Sequence, residues 1–91
     1  MKIILNNNEY ELIKEYKDAF DVEEVNGLFT DYFYDYDYIL GDYAYNKLRL
    51  KGFYDDHNKK AKDINKFSYI DEYVKNYCAY DCRYFILKRI K

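Results

Sequence analysis

Apolar residues follow two rhythms along this chain. "KIIL" at 2–5 is a short apolar run, and "NNN" after it is a turn signal. "EYELIKEY" at 9–16 then alternates Tyr10, Leu12 and Tyr16 with charges, so the two segments predict an N-terminal hairpin. From Asp21 the spacing becomes helical: Val22, Val25, Leu28, Phe29, Tyr32, Phe33 and Tyr36 make one stripe. Asp21 is the predicted N-cap, with Glu24 three residues on. Gly27 costs this helix about 1 kcal/mol relative to Ala, and close packing against a sheet is its expected purpose.

Residues 38–43 return to a strand pattern, and "AYNK" is a turn with Asn46 as its left-handed residue. "LRLKGFY" runs back, with Leu48, Leu50 and Gly52 on one face and Arg49, Lys51 and Phe53 on the other. "DDHNKKAKD" is a polar loop. A second helix is predicted from Ser68, with Asp71 as its capping-box partner and Ile70, Tyr73, Val74 and Tyr77 as its buried face. "RYFILKRIK" closes the chain as a strand. The expected fold is α+β, one compact domain over residues 1–91. Its order is β-β-α-β-β-α-β, with a mainly antiparallel sheet and two amphipathic helices covering one of its faces.

Composition adjusts this picture. Fourteen Tyr and six Phe carry much of the apolar content of 91 residues, so the core is ring-rich and many Tyr hydroxyls belong at its boundary. With no Pro and three Gly, nothing marks a linker or a second domain. The net charge of −2 hides a split. Residues 1–46 carry three Lys against eleven carboxylates, whereas residues 47–91 carry twelve Lys and Arg against six. Such a division suits either an anion-binding face or a self-complementary dimer, and ordinary solvated charge produces it too. No apolar run is long enough to span a membrane, and the first residues lack the apolar core of a signal peptide, so a cytoplasmic setting is expected. Cys78 and Cys82, spaced C-x3-C, are expected as thiols and small buried hydrophobes there. Metal binding and redox use are the alternatives, and neither has the spacing it needs.

Candidate chemistry is sparse. The chain has one His, and its Ser68 is assigned to a helix cap, so a Ser-His-Asp arrangement has no free nucleophile. No glycine-rich phosphate loop occurs, and the lysines of "DDHNKKAKD" would repel calcium. No metal and no cofactor is expected. What remains is the basic strand and loop, where Lys47, Arg49, Lys51, Lys59, Lys60 and Lys62 are interleaved with Tyr45, Phe53 and Tyr54. Cations interleaved with rings are the ingredients of a single-stranded nucleic-acid platform. If the turn centres on Tyr45 and Asn46, Asp42 lies across from Arg49, and the two form either a register-pinning ion pair or an oriented anion-binding Arg.

"DYILGDYAYNKLRLKGFYDD", with "YELIKEYKDAF" before it and "YCAYDCRYFILKR" after it, resembles the YutD-like family of small bacterial proteins. The likeness extends from about Tyr10 to Arg89, and its most specific part is Asn46, Leu48, Arg49, Leu50, Lys51, Gly52 and Phe53, after Gly41 and Asp42. Where the family usually has Trp-Gly after that Gly-Asp, this chain has Tyr43-Ala44. The resemblance implies a small α+β domain in the cytosol of Gram-positive bacteria or their wall-less relatives, and it carries no activity with it.

Three functional expectations follow. The first is a non-catalytic module binding an anionic partner, RNA or a ribonucleoprotein, through Asp42, Tyr43, Tyr45, Arg49, Lys51, Phe53 and His57. The second is a protein–protein adaptor or homodimer joining acidic and basic halves. The third is a small enzyme built on Asp42, Arg49 and His57, which lacks a nucleophile or cofactor motif.

Overall fold

The computed structural model describes residues 2–77 and 82–90. Five strands, β1 (Lys2–Leu5), β2 (Asn8–Tyr16), β3 (Tyr38–Ala44), β4 (Lys47–Phe53) and β5 (Tyr84–Arg89), form one sheet in the order β1-β2-β5-β3-β4. Every neighbouring pair is antiparallel. Helix α1 (Val22–Leu28) follows β2, and α2 (Ile70–Tyr77) precedes β5. The α+β class and the element order agree with the sequence.

Both tight hairpins are made the same way. Asn6 and Asn7 join β1 to β2, and Tyr45 and Asn46 join β3 to β4, each with positive φ at both turn residues. Two successive left-handed residues match the strands' twist. Asn tolerates that conformation readily, but Tyr45 does so only because the hairpin requires it.

The helices do not share a face of the sheet, which corrects the two-layer expectation. On one side, Val25 of α1 and Phe29 pack with Ile39, Tyr43, Phe85 and Leu87. On the other, Ile70 of α2 packs with Tyr38, Leu40, Phe53 and Ile86. The central strands demand this. β3 and β5 are apolar at successive positions, Ile39-Leu40 and Phe85-Ile86-Leu87, and a strand with both faces apolar must be covered twice.

The first helix is also shorter than its stripe. It ends at Leu28, and a 3-10 turn occupies Asp31–Asp35 after two extended residues, Phe29 and Thr30. Thr and Asp are weak helix formers. The break also turns the chain so that the Tyr36 ring lies against Gly52, where a Cβ would fall 2.1 Å from Tyr36 Cγ. Asp21 does cap α1, with Oδ1 accepting from the Glu23 and Glu24 amides at 3.0 and 3.4 Å. Gly27 faces open space and packs on nothing.

Ser68 is not a helix cap. It lies inside a 3-10 turn (Phe67–Tyr69) ahead of α2, and its amide donates to Asp56 Oδ1 at 2.9 Å. Of the face predicted for α2, Ile70 is buried, Tyr73 and Val74 pack partly against the core, and Tyr77 is exposed. Cys82 is half of a disulfide, not the thiol expected. That expectation rested on the cellular compartment alone. Cys78 lies outside the described residues.

Candidate functional site

β4 is a terminal strand of the sheet, and the tight turn sets its register against β3. Ala44 faces Lys47, Tyr43 faces Leu48 and Asp42 faces Arg49. The side-chain period of two then sends Lys47, Arg49 and Lys51 to the α2 side, and Leu48, Leu50 and Gly52 to the α1 side.

Asp42 and Arg49 meet as a bidentate pair. Arg49 Nε donates to Asp42 Oδ1 at 3.0 Å and Nη2 to Oδ2 at 2.7 Å. The two ends differ in burial: the Asp42 side chain is 4% exposed and that of Arg49 45%. Arg49 Nη2 also donates to the Tyr77 carbonyl at 3.4 Å, at the C-terminal end of α2, where a cation is favoured. Its bond to Asp42 raises the guanidinium pKa further above its ordinary value. A fork–fork contact of this kind fixes the orientation of Arg49 as well as its charge.

Lys51 lies beside this pair, its ammonium 5.6 Å from the Phe53 ring centre and 5.5 Å from that of Tyr73. Burial pushes the Tyr73 hydroxyl pKa up, and the nearby Asp42 charge adds to it. On the other side of β4 stand Tyr36 and Tyr32, whose hydroxyls are 3.0 Å apart. Around the strand's outer edge these residues enclose a groove of about 320 Å³, lined by Tyr32, Tyr36, Asp42, Arg49, Lys51 and Tyr73 among others.

The remaining predicted residues fall elsewhere. Tyr43 points to the α1 side, where its hydroxyl donates to Glu24 Oε2 at 3.1 Å and the Arg83 guanidinium stacks 4.0 Å from its ring centre. Burial, followed by that bond to Glu24, raises its pKa. Phe53 is fully buried, so it supports the sheet and is closed to a ligand. Tyr45 is 99% exposed at the hairpin tip. His57 sits in the polar loop and lines a separate cavity of about 670 Å³ with Asp37, Asp55, Asn58 and Arg89. The trio of Asp42, Arg49 and His57 is thus divided between two cavities. Among the described residues, no group of three or more His, Cys, Asp or Glu side chains is placed to hold a metal ion. No helix among them is long and apolar enough to cross a membrane.

Sequence reasoning missed Tyr32, Tyr36 and Tyr73 as walls of the groove. All three had been placed on helical stripes, and only the position of those stripes beside β4 exposes them to the edge. Nothing in the local pattern could have shown that.

The arrangement defines a small α+β protein with a hairpin whose basic edge is oriented by a buried carboxylate. The chain belongs to the YutD-like family: the family profile described as "Putative antitoxin YutD-like" matches residues 4–88. The curated relative "Putative antitoxin YutD" of Bacillus subtilis (strain 168) is 47% identical over 89 residues, covering 98% of each chain. The solution NMR structure of protein yutD from B. subtilis superposes with a TM-score of 0.84 at 46% identity, over 100% of this chain and 83% of that one.

Proposed function

We propose that this chain is a non-catalytic binding module that engages a protein partner through the β3–β4 hairpin. One observation carries the reading: at the terminal strand of the sheet, Arg49 is held by the buried Asp42 while nearly half of its side chain stays exposed. An oriented, half-exposed Arg suits recognition, because little freedom remains to be lost on binding. The antitoxin name of the B. subtilis relative fits action by binding another protein.

The anionic-partner reading, RNA or a ribonucleoprotein, keeps the cations but loses most of its rings. Phe53 and Tyr54 are buried and Tyr43 is held by Glu24 on the opposite face, which leaves Tyr45 as the exposed ring of those expected. The rings that do line the groove, Tyr32, Tyr36 and Tyr73, stand on either side of the strand and not as one open stacking face, which supports a protein partner over a nucleic acid.

The test is affinity capture from host lysate at low salt, with and without nuclease, using the wild-type chain and Lys47→Glu/Lys51→Glu. These two lysines are chosen because neither supports a buried charge. The expected result is a protein retained after nuclease treatment and lost with the double variant. Release by nuclease would restore the RNA reading, and indifference to the variant would remove the hairpin as the site.

A further inference from the structure

The edge of β4 specifies the kind of segment that could bind it. An edge strand offers unpaired backbone donors and acceptors, and a second extended segment can add to it. Here the edge runs between two walls, Tyr32 and Tyr36 on one side and Tyr73 with Lys51 on the other. Each wall stands over one of the two rows of side chains that an added strand would extend.

Those rows have opposite character. On the α2 side the edge presents Lys47, Arg49 and Lys51, and on the α1 side Leu48 and Leu50 followed by Gly52. Side chains directly across an antiparallel ladder share a face, and unlike charges there attract while like charges repel. A second copy of β4 would set these cations against themselves. The opposite edge, β1, offers Lys2 with Ile3, Ile4 and Leu5 and supplies no carboxylate. Edge lysines ordinarily prevent self-pairing, and here their strict alternation also leaves one complementary pattern.

We infer that the protein partner binds by strand addition to β4, through an extended segment that alternates carboxylate and apolar side chains. The carboxylates meet Lys47, Arg49 and Lys51, and the apolar residues lie along Leu48 and Leu50 toward Tyr36. This rests on the hairpin reading above and names the chemistry of the partner's contacting segment. Asp42 acts as a positioning residue, because its two oxygens fix the Arg49 guanidinium at the groove that Lys51 also lines.

The experiment is an NMR titration of the isotope-labelled full chain with two synthetic peptides as long as β4, one alternating Glu with Val and one alternating Lys with Val. The Glu/Val peptide is expected to shift and protect the β4 amides and to bind at least about tenfold more tightly than the Lys/Val peptide. Lys47→Glu/Lys51→Glu should invert that preference, and the gain of Lys/Val binding shows that the variant is folded. Equal binding of the two peptides, no binding of either, or shifts centred on β1 would overturn the inference. So would a single-stranded oligonucleotide that moves the same amides more strongly than the Glu/Val peptide. If the peptides fail while the double variant still releases a protein partner in the capture experiment, strand addition falls and the hairpin reading stands.

Discussion

Among the described residues, two Asp–Arg pairs anchor this sheet, and they differ in how far each is closed. Arg89 Nη2 donates to Asp37 Oδ1 at 3.3 Å, with both side chains 14% exposed. Around that pair, the Arg89 amide donates to the Asp37 carbonyl at 2.9 Å, and Arg89 Nη1 donates to the Tyr34 carbonyl. Asp37 Oδ2 also accepts from the Asp55 amide and Asn58 Nδ2 at 2.8 and 3.0 Å. Asp42–Arg49 is tighter at its contact but open at one end, with only the carboxylate buried. The first pair ties four segments together and is symmetric in burial. The second holds one side chain in position while leaving it wet. Closure distinguishes a fastener from a site, and ion-pair distance alone would have ranked them the other way.

Removing each partner in turn tests that distinction. Asp37→Ala should cost the most, about 3–5 kcal/mol by urea unfolding, because it strands Arg89 and leaves the Asp55 and Asn58 donors without their acceptor. Arg49→Ala comes next at about 3 kcal/mol, since Asp42 is then a buried carboxylate without its counter-charge. Asp42→Ala should cost only about 1–2 kcal/mol, because the half-exposed Arg49 can turn into water. The asymmetry between the last two is the sharper readout. Equal costs would mean that Arg49 is as confined as its partner and that the open end is not open. In the Glu/Val peptide titration, Asp42→Ala should weaken binding more than it weakens folding, as a positioning residue would.

The sequence revealed this pair better than it revealed the layers around it. Alternation along 47–53 and the Tyr45-Asn46 turn determine the Asp42–Arg49 register, because a two-residue loop leaves no other pairing. The strands and both helix positions were legible for the same reason, that side-chain period is a local property. The side of the sheet taken by each helix is not local, although Ile39-Leu40 and Phe85-Ile86-Leu87 carried the signal as runs without alternation. The end of α1 at Leu28 lets Tyr36 reach Gly52, a contact sixteen residues apart that periodicity cannot register. Ser68 shows the opposite error: a local capping pattern was present, and Asp56 from a distant loop took its amide. Of the candidate site, the charges were legible from spacing, and the rings were not, because burial decides which of them face a ligand.

The smallest expected effect reads the closed pair by itself. Tyr10 lies opposite Arg89 in the β2–β5 ladder, fully buried, and its hydroxyl has no hydrogen-bond partner among the described residues. Burial pushes its pKa from 10.0 up to about 12, and the nearby Arg89 charge offsets only part of that rise. A raised folded-state pKa means that the folded chain keeps its proton longer than the unfolded one, so this contribution is fully present below pH 10.0 and is lost as pH climbs toward about 12. Tyr10→Phe removes the unpaired hydroxyl and should stabilise the protein by about 1 kcal/mol at neutral pH. It should also flatten the fall in stability above pH 10.0, measured as urea midpoints across the alkaline range. Asp42→Ala itself alters the alkaline fall, because it removes the Asp42 charge that helps raise the Tyr73 pKa. Tyr10→Phe should nevertheless flatten the fall by the same amount with or without it, because Tyr10 packs with the α1 side of the sheet and the Asp42–Arg49 pair lies on the other. If the effect of Tyr10→Phe changed in the Asp42→Ala background, the two ion pairs would be parts of one electrostatic unit, and the division between fastener and site would be lost.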